Sequence, residues 1–321
     1  MTLKTPRSRP VISAVIPAFN ESQGIKEATI HIAEIISECE SSWEIIIVDD
    51  GSRDQTYQQI CQLSEAEPRI KGLALSRNFG KEAAMLAGLE HAAGEAVIIL
   101  DADLQHPPNF IPEMIGKWRA GTQIVHAVKR SRKEDSAGKK AAAYFINHLI
   151  SSLGGINVKN STDFKLLDRE IVDIIVYKLP ERERFFRGLT SWLGFSEEYI
   201  YFDQTNRQGD ESKWSFWSLL ELSITALTSF TSLPLRIVTV LGFSTLILGF
   251  LIAGDTILSL IKGQAVSGFA TIIMSLLLIG SFIMISLGII GEYIAKIYEE
   301  VKARPHYLVK ASVGIAGKKS G

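Results

Sequence analysis

The chain has 321 residues, 46% hydrophobic and 21% charged, which is too apolar a composition for an intrinsically disordered polymer. Thirty-four Lys and Arg face 35 Asp and Glu, and a net charge of -1 argues against bulk electrostatic capture of nucleic acid. Two cysteines, Cys39 and Cys61, exclude a disulfide scaffold and a Cys-rich zinc module, and a mean hydropathy of +0.16 requires the apolar residues to be unevenly placed.

Residues 1–10 carry Lys4, Arg7, Arg9 and two prolines with no apolar stretch behind them, so they read as a flexible leader and not a secretory signal. From about 11 to 210 short apolar runs alternate with longer mixed stretches. Strands are expected at Val11–Ile16, Glu44–Val48, Ile70–Leu75, Glu95–Leu100 and Gln123–Val128, with helices at Gly24–Cys39, Thr56–Glu67 and Lys81–Ala93. Strands that are apolar throughout, separated by helices, predict an α/β domain whose mostly parallel sheet is covered on both faces. In such sheets ligands bind beyond the carboxyl ends of the strands.

The remaining third is different. In Trp214-Ser-Phe-Trp-Ser-Leu-Leu220, Ile224 and Leu227, positions 214, 217, 220, 224 and 227 share one helical face, predicting an amphipathic interfacial helix within 211–232. Between Arg236 and Glu292 the only formal charges are Asp255 and Lys262. Two runs, about 236–260 and 268–291 within a segment 233–294, are each long enough to cross a hydrocarbon core of about 30 Å. Gly280, Ser281, Ser286, Gly288 and Gly291 suit close helix packing in lipid. Arg236 precedes the pair and Lys296, Lys302 and Arg304 follow it, whereas the turn carries one lysine. The positive-inside rule then places the N-terminal domain and a tail at 295–321 on the cytoplasmic side of a bacterial inner membrane.

Four polar clusters fall where the predicted strands end: Pro17-Ala-Phe-Asn20-Glu21, Asp49-Asp50-Gly-Ser-Arg-Asp54, Ser76-Arg-Asn-Phe-Gly-Lys81 and Asp101-Ala-Asp103-Leu-Gln105-His106. Each alone reads equally well as a turn or a helix cap; together they make one rim. Asp101, Asp103 and Gln105 offer oxygen ligands at alternating positions, a set that suits Mg²⁺ or Mn²⁺. There is no Walker loop and no Gly-x-Gly-x-x-Gly after the first strand. A metal-held diphosphate without a glycine cradle points to a nucleotide-sugar donor.

Val15-Ile-Pro-Ala-Phe-Asn-Glu21, Ile47-Val-Asp-Asp-Gly-Ser-Arg-Asp-Gln-Thr56, Leu75-Ser-Arg-Asn-Phe-Gly-Lys81 and Leu100-Asp-Ala-Asp-Leu-Gln-His-Pro-Pro108 resemble family-2 glycosyltransferases of the GT-A fold. Within them the chain is most similar to the dolichol-phosphate mannose synthase-like branch, and there to two-span bacterial polyprenyl-phosphate glycosyltransferases such as the bactoprenol glucosyltransferases. The resemblance continues through Thr162–Arg169, Pro180–Gly188, Arg207–Trp214 and the Arg304-Pro-His-Tyr tail.

It implies that Asp50, with Pro17, Asn20 and Glu21, binds the donor nucleotide, and that Asp101, Asp103 and Gln105 hold the divalent cation on its diphosphate. It makes Asp163 the essential acidic residue, as a base or as an aligning group, and Arg207 a phosphate contact. It places Arg130, Lys139 and Lys140 where related enzymes carry acceptor-phosphate cations. The implied reaction is inverting transfer of a sugar, glucose from UDP-glucose being favoured, to polyprenyl (undecaprenyl) phosphate in a homo-oligomer, with a tetramer as the candidate assembly. A processive polysaccharide synthase is the first rival, but no Gln-x-x-Arg-Trp motif is present. A non-catalytic transport or flippase subunit is the second, and the intact acidic set argues against it.

Overall fold

The computed structural model describes residues 10–102, 107–129, 162–179, 181, 186–202, 233–263 and 268–315. They fall into two compact units; the first runs through Phe202 and resumes at Pro305, and the second holds the two long C-terminal helices. The interfacial segment 211–232 lies outside the described residues, as do the first nine positions.

Isoleucine- and valine-rich runs form the middle of the first unit's sheet. Its strands are β1 (Ile12–Ala18), β2 (Trp43–Asp49), β3 (Ile70–Leu75), β4 (Ala96–Ile99), β5 (Ile124–Lys129), β6 (Lys165–Asp168), β7 (Glu197–Phe202) and β8 (Val309–Val313). They lie in the order β7-β5-β6-β4-β1-β2-β3-β8. The pairings β1–β2, β1–β4, β2–β3 and β5–β7 are parallel, whereas β6 runs against both β4 and β5 and β8 against β3. Six strands therefore share one direction, which is the mostly parallel sheet that continuous apolar strands predict.

Helices cover both faces. α1 (Ile25–Cys39), α2 (Thr56–Ala66) and α4 (Ile111–Arg119) pack with Ile12, Ala14 and Ile16 of β1 on one side. α3 (Lys81–His91) packs with Val15 on the other, joined by α5 (Arg169–Asp173), which continues as a π-helical turn through Lys178, and by α6 (Phe186–Trp192). The alternation of β1 side chains between the two cores follows from the two-residue period of a strand. Ala84 through Leu89 are all buried, so α3 is a core helix rather than a surface one. Gly88 lets it lie close on β1, since a Cβ there would stand 2.2 Å from Val15 Cγ1. That close seat fixes where the first residue of α3, Lys81, emerges at the carboxyl end of the sheet.

The second unit consists of α7 (Leu233–Ile261, 29 residues) and α8 (Phe269–Val301, 33 residues). At 1.5 Å per residue they span about 44 and 50 Å. Ile237–Ser259 and Met274–Val301 each contain an 18-residue stretch with a mean hydropathy of 2.3, and both helices are long and apolar enough to cross a membrane. Their apolar side chains are outward-facing, Phe250 being 70% exposed and Met274 72%. Ser244, Thr245, Thr256 and Ser281 each donate to a carbonyl oxygen four residues back, so these hydroxyls are satisfied within their own helix. Pro234 is the second residue of α7, ahead of the apolar stretch, a position that tolerates a missing N–H. The tail differs from expectation. α8 continues to Val301, and the chain then returns to the first unit, where Val309–Val313 forms the edge strand β8.

Candidate active site

The carboxyl ends of β1, β2, β3 and β4 meet at one rim, around a cavity of about 320 Å³ lined by Pro17, Glu21, Asp50, Asn78, Lys81 and Asp101 among others. The loops that build it are tied to one another by backbone amides. Asp50 N–H donates to Ala18 O at 2.9 Å, locking the exits of β1 and β2 together. Asn20 stands at φ 55, a left-handed conformation that asparagine accepts. Its N–H donates to Ser52 Oγ at 2.8 Å, and its Oδ1 accepts from Arg53 N at 3.0 Å. Glu21 N–H and Ser22 N–H donate to Thr56 Oγ1 and Asp54 Oδ2 at 2.9 and 3.1 Å. Asp54 is desolvated slightly, but hydrogen bonds from Thr56 and Ser22 outweigh that and hold its carboxyl at about 2.

Asp50 is buried, and both its oxygens are engaged: Oδ1 accepts from Phe79 N at 2.7 Å and Oδ2 from Gly80 N at 2.9 Å. Burial holds its carboxyl above the ordinary aspartate value, a rise that the two amide donors reduce without cancelling. The β2 exit thereby grips the loop leading into α3. Gly51 follows at φ +69, and a Cβ there would meet the carbonyl carbon of Arg77 at 2.4 Å, so only glycine lets the two loops touch.

Across the cavity, Lys81 Nζ lies 2.5 Å from Asp101 Oδ1 and 2.8 Å from Asp163 Oδ2. Asp163 comes from just before β6, so this ion triad joins the β3–α3 loop, the β4 exit and the β6 entrance. Its side chain is 8% exposed, Asp101's is 21% and Lys81's 40%. Burial disfavours the ammonium, but Asp101 and Asp163 together outweigh it and hold Lys81 above the ordinary lysine range.

The structure thus brings Pro17, Glu21, Asp50, Asp101 and Asp163 to one rim. Asn20 is in the same loop, with its side chain committed to the Arg53 amide and absent from the cavity lining. Asp103, Gln105, Arg130, Lys139, Lys140 and Arg207 lie outside the described residues. Lys81 stands in the third polar cluster of the sequence, but only the fold reveals that it faces two carboxylates from distant strands.

Residues 13–175 match Glycosyl transferase family 2. A glycosyltransferase of Synechocystis sp. is 40% identical over 306 residues, covering 95% of this chain and 96% of that one. The SfII prophage-derived bactoprenol glucosyl transferase of Shigella flexneri is 37% identical over 94% of this chain and 98% of its own. The chain belongs to glycosyl transferase family 2. This family 2 enzyme is a glycosyltransferase that draws on a nucleotide-sugar donor. Among solved structures, glucosyl-3-phosphoglycerate synthase from Mycobacterium tuberculosis with Mn²⁺, UDP and phosphoglyceric acid aligns with 68% of this chain and 75% of its own, at 19% identity and a TM-score of 0.48.

Among the described residues no group of three or more His, Cys, Asp or Glu side chains converges as a metal cage. The described part of the glycosyltransferase rim does fit a hard divalent cation in one respect. Its facing donors are carboxylate oxygens, and a cation, the Lys81 ammonium, already stands in between two of them.

Proposed function

We propose that this glycosyltransferase moves glucose from UDP-glucose to polyprenyl (undecaprenyl) phosphate at the cytoplasmic face of a bacterial inner membrane. One observation carries the reading. Similarity to the bactoprenol glucosyl transferases covers 94% of this chain, so it extends through both long apolar helices and is not confined to the sugar-handling unit.

The reaction forms a bond between a lipid phosphate oxygen and the anomeric carbon and breaks the bond from that carbon to the UDP β-phosphate, with inversion. A monophosphate has its second pKa near about 6, so the nucleophile is already largely anionic at neutral pH and no strong base is demanded. Asp163 Oδ2 is engaged by Lys81 at 2.8 Å, which favours an aligning role over proton removal. Asp50 and the Pro17–Glu21 loop would seat the nucleoside, and Asp101, with Asp103 and Gln105, would hold Mg²⁺ or Mn²⁺. That cation, when bound, supplies charge neutralisation for the departing diphosphate. Arg207, Arg130, Lys139 and Lys140 are assigned to phosphate contacts, and association into a homo-oligomer would surround the acceptor with further spans.

Purified protein in detergent, given labelled UDP-glucose, undecaprenyl phosphate and Mn²⁺, is expected to yield a solvent-extractable one-sugar lipid. Asp101→Ala should lower the rate by a factor of about 100 or more, as removal of a charge-stabilising group does. Formation of a polymer, or wild-type turnover in Asp101→Ala with chelator present, would sink the proposal. A panel of UDP-galactose, UDP-linked amino sugars and GDP-mannose fixes the donor.

A further inference from the structure

The buried carboxylate of Asp163 and the more accessible one of Asp101 arrive from different strands and share one ammonium, at 2.8 and 2.5 Å from Lys81 Nζ. Building on the metal reading above, we propose that Lys81 is a positioning residue that keeps Asp163 out of the divalent cation's ligand set and competes with that cation for Asp101.

Three features carry this. Two carboxylates that one ammonium reaches at contact distance are also close enough for one small cation to collect both, because hard cations gather carboxylate oxygens readily. Left to electrostatics alone, a cation arriving at Asp101 would therefore draw in Asp163 as a further ligand. Lys81 opposes that in two ways. Its charge repels the arriving cation, and its hydrogen bond claims an Asp163 oxygen.

The lysine is also held in place. It is the first residue of α3, whose following turns are buried, and the two preceding amides, of Phe79 and Gly80, are bound by Asp50 at 2.7 and 2.9 Å. Its backbone cannot drift without disturbing the β2 exit. When a cation takes Asp101, the ammonium has a second partner on which to settle, and Asp163 stays directed at the reacting centre. The device is an exchange of partners: Lys81 bridges both carboxylates when no metal is bound and retains only Asp163 when one is.

Loss of activity alone would not distinguish this from simple damage, so the test reads metal affinity. Mn²⁺ binding to the full chain in detergent, with and without UDP, is followed by electron paramagnetic resonance for wild type, Lys81→Met, Lys81→Gln and the double variant Lys81→Met/Asp163→Asn. Removing one unit of positive charge beside the ligand oxygens should tighten Mn²⁺ by about ten-fold in both single variants, while the turnover of the loaded enzyme falls. The double variant should lose most of that gain, since Asp163 can no longer join the ligand set, and keep only the part that comes from freeing Asp101. A thermal melt accompanies each variant. A structural defect weakens metal binding, the opposite sign.

Unchanged or weaker Mn²⁺ binding in both single variants overturns the proposal and leaves the metal reading intact, as does a double variant that binds Mn²⁺ as tightly as Lys81→Met. A wild-type protein that binds no Mn²⁺ with or without UDP overturns both.

Discussion

Asp50 shows how one side chain serves structure and site together. Both of its oxygens accept from backbone amides, of Phe79 and Gly80, and a carboxylate has further lone pairs to offer a ligand. Asn at this position has one acceptor oxygen, so Asp50→Asn leaves a buried amide facing an NH₂ group. An unsatisfied buried donor costs about 1–3 kcal/mol, and the β3–α3 loop that carries Asn78 and Lys81 loosens. The expected result is a lower melting temperature and a donor KM raised by about ten-fold, with a smaller change in kcat; equal kinetics and stability would contradict the assignment. His126 makes a different case. It is 1% exposed, stacked on Tyr199 at 5.0 Å, beside Lys165 across the β5–β6 pair, and 3.7 Å from Glu197, too far for a hydrogen bond. Burial pushes its imidazole below the ordinary value, Lys165 adds to this, and Glu197 opposes it. The unfolded chain takes up a proton near pH ~6.5 that the folded chain resists. Stability from this residue is thus complete above that pH and is lost as pH falls toward the lower folded value. Melting curves should show a drop between pH 7.5 and 5.5 that is reduced in His126→Phe, a variant that keeps the ring stack and removes the titration.

Among the secondary elements, β6, β7 and β8 have no counterpart in the strands read from the sequence. β1 to β4 are legible because central parallel strands are apolar throughout, and the rim was legible because its polar clusters interrupt those runs at the strand ends. Val309-Lys-Ala-Ser-Val313 has the weak pattern of an edge strand, and its partner β3 lies more than two hundred residues earlier. β6 begins with the buried Lys165, whose ammonium donates to Phe186 O and Thr190 Oγ1, so a charged residue sits where a strand pattern calls for an apolar one. Lys81 was hidden for a related reason: its partners come from separate strands, and spacing along the chain carries no record of them. The return strand is more than decoration. Leu308 O accepts from Ser76 N at 2.8 Å, and the Tyr307 hydroxyl donates to Glu90 in the last turn of α3. The first contact borders the loop that Asp50 grips, and the second ties the return segment to the far end of the α3 helix that follows it. Truncation after Pro305 should therefore lower the melting temperature, expose the β3 edge to aggregation and raise the donor KM. Tyr307→Phe alone should cost about 1 kcal/mol by denaturant titration. Unaltered stability in both variants would mean that β8 does not pair as described.

For the whole molecule, that same strand constrains how the two apolar helices can lie. The chain leaves the sheet-containing unit after β7, passes through α7 and α8, and re-enters that unit to pair with β3. A segment that starts and ends in one folded unit can cross a bilayer only an even number of times, so two spans and a hairpin satisfy the pairing where one span would break it. This argument is independent of the charge bias at Lys296, Lys302 and Arg304 and agrees with it that both flanks share one side; the charge bias then makes that side the cytoplasmic one and leaves Lys262 on the other. Cysteine labelling tests it directly. In a background with Cys39→Ser and Cys61→Ser, Lys262→Cys in whole cells should react with a membrane-impermeant maleimide added outside. Arg304→Cys, exposed at the end of the second helix, should react only after the membrane is opened. Labelling of both positions from outside would place β8 on the opposite face from any cytoplasmic nucleotide sugar. Labelling of neither without permeabilisation would mean that the helices lie along one surface of the bilayer. Either pattern removes the hairpin on which the proposed lipid glycosylation at the inner face depends.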